Sequence, residues 1–153
     1  MIPPELTLLY DGACPLCRRE VALLSRRDDG HGAIRFVDID APGYDPSAFQ
    51  GISYRQAMGR VHGITADGRV LRDLAVFQEA YRQVGLGWIY APIDWPLLGP
   101  LARVIYGIWS RLRLRITGRP DLDTLCAGRE GPSCRVGERK APIHGELSDQ
   151  TGG

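Results

Sequence analysis

The chain has 153 residues, 44% hydrophobic and 24% charged, which is enough for one domain with a real core and short for two. A net charge of +1 gives no global reason to expect nucleic acid or an acidic substrate, and four cysteines are too few to staple a protein of this size. The opening "MIPPELTLLYDG" lacks a basic region followed by a long apolar run, so no secretory leader is expected. The expected compartment is then the cytoplasm, where a close cysteine pair is more often catalytic or metal-binding than structural.

Glu5 to Tyr10 reads as a short buried strand ended by the turn pair Asp11-Gly12. Pro15 suits the first position of a helix running to about Arg27, with Cys17, Val21 and Leu24 on one face and Arg18, Arg19, Arg26 and Arg27 on the other. Ala33 to Ile39 alternates like a second strand, completing a β-α-β unit. Residues 41–52 read as loop and Ser53 to Met58 as a weak helical turn. "RVHGIT", the turn pair Asp67-Gly68 and "RVL" make a hairpin. Leu74, Phe77, Tyr81 and Val84 have helical spacing, with Gly85 as a stop.

The apolar stretch that follows is interrupted by Pro92, Asp94, Pro96, Pro100 and Arg103, too often for a transmembrane span. Leu97, Leu101, Ile105, Ile108, Leu112 and Ile116 line one face of a helix whose arginines, Arg103, Arg111, Arg113 and Arg115, lie off that face. The stripe is expected to be buried against the domain, with Arg111, Arg113 and Arg115 exposed and Trp88, Trp95 and Trp109 packing this segment. Peripheral membrane contact or partner binding through the arginine-rich helix is the alternative. The expected organisation is therefore an α/β domain with a C-terminal helical extension over residues 1–117. A poorly ordered tail should fill residues 118–153, where periodicity stops.

Chemistry concentrates in "YDGACPLC". A thiol attacks only as thiolate, and a helix N-terminus favours that anion through its free N–H groups and dipole. With Pro15 as the first helical residue, Cys14 falls at the N-cap, expected exposed. Cys17 lies a turn further in, expected shielded, with its pKa raised by burial. That asymmetry suits a nucleophile and a resolving thiol exchanging a substrate disulfide through a mixed disulfide. Asp11 either ends the strand or accepts the proton of Cys17, and both readings stay open. The rival is a non-enzymatic zinc-binding or scaffold module in which Cys14 and Cys17 join Cys126 and Cys134. The seven residues inside "CAGREGPSC" are wider than the usual zinc-knuckle spacing. Cys126 and Cys134 could instead form a disulfide, a relay pair, or free thiols.

Asp11, Cys14 and Cys17 resemble the D-x-x-C-x-x-C signature of the DCC family of thiol-disulfide oxidoreductases. The likeness extends through "ADGRVLRDLAVFQEAYRQV" to about Arg115. The resemblance implies a thioredoxin-like fold, in keeping with the β-α-β-(α)-β-β-α order, and makes Asp11, Cys14 and Cys17 the defining positions. Thioredoxins proper carry a proline just before the hairpin strand, and "SYRQAMGRVHGI" has none, so substrate binding is expected to differ from thioredoxin's or to be absent. His31, His62 and His144 have no ligand spacing, and each reads as a surface or satisfied histidine. No phosphate loop is present, and neither cofactor nor metal is expected. The expected partners are a protein or small-molecule disulfide and a reductant, with no nucleic acid.

Overall fold

The computed structural model describes residues 3–128. His144, Cys134 and most of the expected tail lie outside them. Four strands form one mixed sheet in the order β2-β1-β3-β4, with β1 (Leu6–Tyr10), β2 (Ile34–Asp38), β3 (His62–Thr65) and β4 (Val70–Arg72). β1 runs parallel to β2, with Leu6 opposite Ile34 and Leu8 opposite Phe36, and antiparallel to β3. The parallel pair needs a crossover, which α1 (Pro15–Asp28) supplies, whereas β3 and β4 close as a hairpin.

Strand periodicity divides the core between two faces. Leu6 and Leu8 point to one face, where they meet Leu24 of α1 together with Val76, Ala80 and Tyr81 of α3 (Leu74–Gln83). Leu9 points to the other, among Tyr54, Ala57 and Met58 of α2 (Tyr54–Gly59). Gly63 lets α3 approach β3: a β-carbon there would lie 3.0 Å from Val76 Cγ1 and 3.1 Å from Leu6 Cδ1. The weak turn at residue 53 is a capped helix. Ser53 Oγ accepts from the Gln56 N–H and Gln56 Oε1 accepts from the Ser53 N–H, a reciprocal cap. The arrangement is the expected thioredoxin-like α/β fold with a C-terminal helix.

That helix, α4 (Leu98–Ile116), forms where expected and faces the wrong way. The stripe predicted to be buried is outside: Leu97 is 86% exposed, Leu101 55%, Ile105 58% and Ile108 54%. Trp88 and Trp95, expected to pack the segment, are 72% and 65% exposed. Gly99, Ser110, Arg113 and Leu114 turn inward instead, and of the three arginines expected in water only Arg111 and Arg115 are exposed. Arg113 goes inside because its guanidinium finds partners there, Nη2 donating to the Met58 carbonyl at 2.6 Å. Residues 118–128, read as the start of a tail, carry α5 (Leu122–Ala127). Asp121 caps α5 through the Thr124 N–H, while Leu122 and Leu125 pack on the cluster beneath α2.

Candidate active site at the start of α1

β1, an inner strand, delivers Asp11 just past its C-terminal end, and a tight turn carries the chain from there into α1. The Cys14 N–H donates to the Asp11 carbonyl at 3.1 Å, and the Ala13 N–H to Asp11 Oδ1 at 3.0 Å. From β2, Asp38 Oδ1 accepts from both the Gly12 N–H and the Asp40 N–H at 2.8 Å. A β-carbon on Gly12 would collide with that Asp38 carboxylate, so the turn pair read from sequence is also a packing requirement.

Cys14 is the N-cap of α1, as Pro15 implied, and its Sγ accepts from the Cys17 N–H at 3.4 Å. Both thiols are unbridged. Their exposures are the reverse of expectation: Cys14 is 1% exposed, whereas Cys17 is half-buried and lines a cavity of about 580 Å³. The Cys14 sulfur lies over the first turn of α1, where it meets its N–H donor. At Cys17 burial, reinforced by Cys14, pushes the thiol up to about 12, the direction expected for a shielded sulfur. Arg113 opposes that shift, its Nη1 donating toward Cys17 Sγ at 3.6 Å.

Asp11 is 2% exposed, and burial raises its carboxyl above the ordinary range. Arg119 pulls the other way, with Nε 3.3 Å from Asp11 Oδ2 and Nη2 3.2 Å from Asp40 Oδ1. Asp11 Oδ2 has no hydrogen-bond donor among the described residues, and the charge of Asp11 still reaches Cys17. Gly118, at φ +69°, ends α4 in a left-handed turn, and the Arg119 N–H then bonds the Leu114 carbonyl at 2.7 Å. That turn aims Arg119 at Asp11.

The structure places Asp11, Cys14 and Cys17 beside one another, as their spacing implied, and adds Arg113, Arg119, Asp38 and Asp40, which the sequence reading did not place there. One signal was available: a buried carboxylate between strand and helix calls for a cation, and an arginine follows the helix-stopping Gly118. The segment ahead of β3 that lacks a proline is tied to α4 by the Arg113–Met58 bond.

The remaining candidates lie elsewhere. Cys126 sits on α5 beside Arg55, packed against the α2 cluster. His62 is buried with Nδ1 2.8 Å from the Arg60 carbonyl, a satisfied histidine, and His31 Nδ1 is 2.6 Å from the Asp28 carbonyl. Among the described residues no three histidine, cysteine or acidic side chains cluster as metal ligands, and no helix is long and apolar enough to cross a membrane.

The family model DCC1-like thiol-disulfide oxidoreductase matches residues 8–119, ending on Arg119. A curated Arabidopsis thaliana protein named "Uncharacterized protein At5g50100, chloroplastic" is 42% identical over 126 residues, covering 82% of this chain and 59% of the relative. The chain thus spans about three-fifths of that relative's length. No solved structure matches.

Proposed function

The chain belongs to the DCC1-like thiol-disulfide oxidoreductase family, and on that premise we propose that Cys14 and Cys17 are its working dithiol. Cys14 attacks and Cys17 resolves. The observation that carries this order is the N-cap geometry: Cys14 Sγ receives a backbone N–H and sits in the positive field of α1, while Cys17 keeps its proton up to about 12.

In the reducing direction, the Cys14 thiolate attacks one sulfur of a substrate disulfide. The substrate S–S bond breaks, the first substrate thiolate leaves and takes up a proton, and a mixed disulfide remains on Cys14. Asp11, with its raised carboxyl, accepts the Cys17 proton. Cys17 then attacks Cys14 Sγ, releases the second substrate thiolate, and closes the Cys14–Cys17 disulfide. Two electrons pass to the substrate, and a separate reductant restores the dithiol. Arg113 stabilises the transient Cys17 thiolate from 3.6 Å. Because Cys14 is covered at rest, an incoming disulfide reaches it only as neighbouring side chains move. The proposed compartment is a reducing one such as the cytoplasm.

Cys17, not Cys14, lines the cavity, and this favours a second reading in which Cys17 meets substrate first. The two are separated by trapping. Cys17→Ser should accumulate a stable mixed disulfide and Cys14→Ser none, while Asp11→Asn should slow release and leave the initial attack unchanged. The reverse trapping pattern would transfer the attack to Cys17. Zinc near one equivalent, lost on replacing either cysteine pair, would install the scaffold reading instead.

A further inference from the structure

We propose that the outer face of α4 docks on an anionic membrane surface. The proposal stands apart from the thiol chemistry and rests on the inversion of this helix. Leu97, Leu101, Val104, Ile105, Ile108 and Ile116 are all more than half exposed and fall on one side of α4 at helical spacing. So large an apolar face on a protein surface marks an interaction site.

Charge selects the occupant. Between Asp94 and Asp121 the chain has five arginines and no acidic residue. Arg111 and Arg115 are exposed along one edge of the apolar face, with Arg103 exposed further round. A second copy pairing α4 on α4 would oppose these arginines with no carboxylate on either helix to answer them. A lipid surface meets both demands, with acyl chains for the apolar face and anionic headgroups for the arginines. Trp88 and Trp95, exposed just ahead of the helix, have the amphipathic rings that settle at headgroup depth. The inner side of α4 walls the cavity beside Cys17 through Tyr106, Trp109 and Arg113, so docking would hold that cavity at the bilayer.

The test uses the full chain and its own fluorescence, because all three tryptophans, Trp88, Trp95 and Trp109, lie in this segment. Vesicles of phosphatidylcholine with added phosphatidylserine should bind the protein and shift its emission to the blue, and phosphatidylcholine alone should bind it far more weakly. Replacing Leu101, Ile105 and Ile108 together by Gln should abolish binding and leave the circular dichroism spectrum unchanged. Arg111→Gln with Arg115→Gln should weaken binding to the anionic vesicles roughly fivefold per arginine. A wild-type chain that ignores the anionic vesicles would overturn the proposal. So would a dimer in sedimentation that the triple substitution dissolves, which would give the face to a second copy.

Discussion

Two helices of this chain carry four arginines each and meet the protein with opposite sides. In α1, Arg18, Arg19, Arg26 and Arg27 are exposed and Leu24 is buried against β1 and α3. In α4, Arg113 is buried and the Leu/Ile stripe is exposed. The two patterns are alike on paper, since each helix separates an apolar face from a cationic one. Amphipathicity states that a helix has two unlike sides and leaves open which one its own domain will take. In α1 the sheet offers apolar side chains. Over the start of α1, α4 meets the Met58 carbonyl and a thiol, and a guanidinium answers those better than leucine does.

The contrast is sharpest at the buried leucine. Leu24→Ala should cost about 2–5 kcal/mol in urea unfolding, because the cavity it leaves lies in a packed core. A cost near zero would erase the difference between the helices. Next comes arginine. Arg113→Ala should cost about 1–3 kcal/mol by leaving the Met58 carbonyl without its charged donor, whereas Arg26→Ala on α1 should change stability by no more than about 0.5 kcal/mol. Equal values would mean that the inward turn of α4 contributes nothing.

Smaller again at neutral pH is the proton on Cys17, the residue of α1 that faces Arg113. The folded thiol is held up to about 12 against an ordinary 9.0, so near neutrality both states keep the proton and nothing is gained or lost. Above 9.0 the unfolded chain releases a proton that the folded chain retains, and the stability of the reduced protein falls as pH rises toward 12. Urea midpoints of the reduced protein on either side of 9.0 should show that decline, and Cys17→Ser should reduce it. Leu101→Ala on the outer face of α4 is likewise a small effect, expected within about 0.5 kcal/mol. A loss of several kcal/mol there would restore the buried stripe that the sequence predicts.

Local chemistry made much of the molecule legible. The turn pair Asp11-Gly12, Pro15 at the first helical position, the short apolar run of Leu6 to Tyr10 and the glycine stop after α3 each act within a few residues. They therefore place β1, α1, the hairpin and the N-cap Cys14 from sequence alone. The raised thiol of Cys17 follows from the same local fact, its place one turn into a packed helix. What sits across from these residues depends on chain far away. Arg113 and Arg119 reach Cys17 and Asp11 across about a hundred positions, and beyond the helix stop at Gly118 nothing in their own surroundings announces a buried partner. The covering of Cys14, the pairing of Asp11 with Arg119 and the outward face of α4 were decided only by tertiary structure. A buried charge is tolerable only where a distant partner answers it, and the side a helix turns inward is set by the surface it lands on.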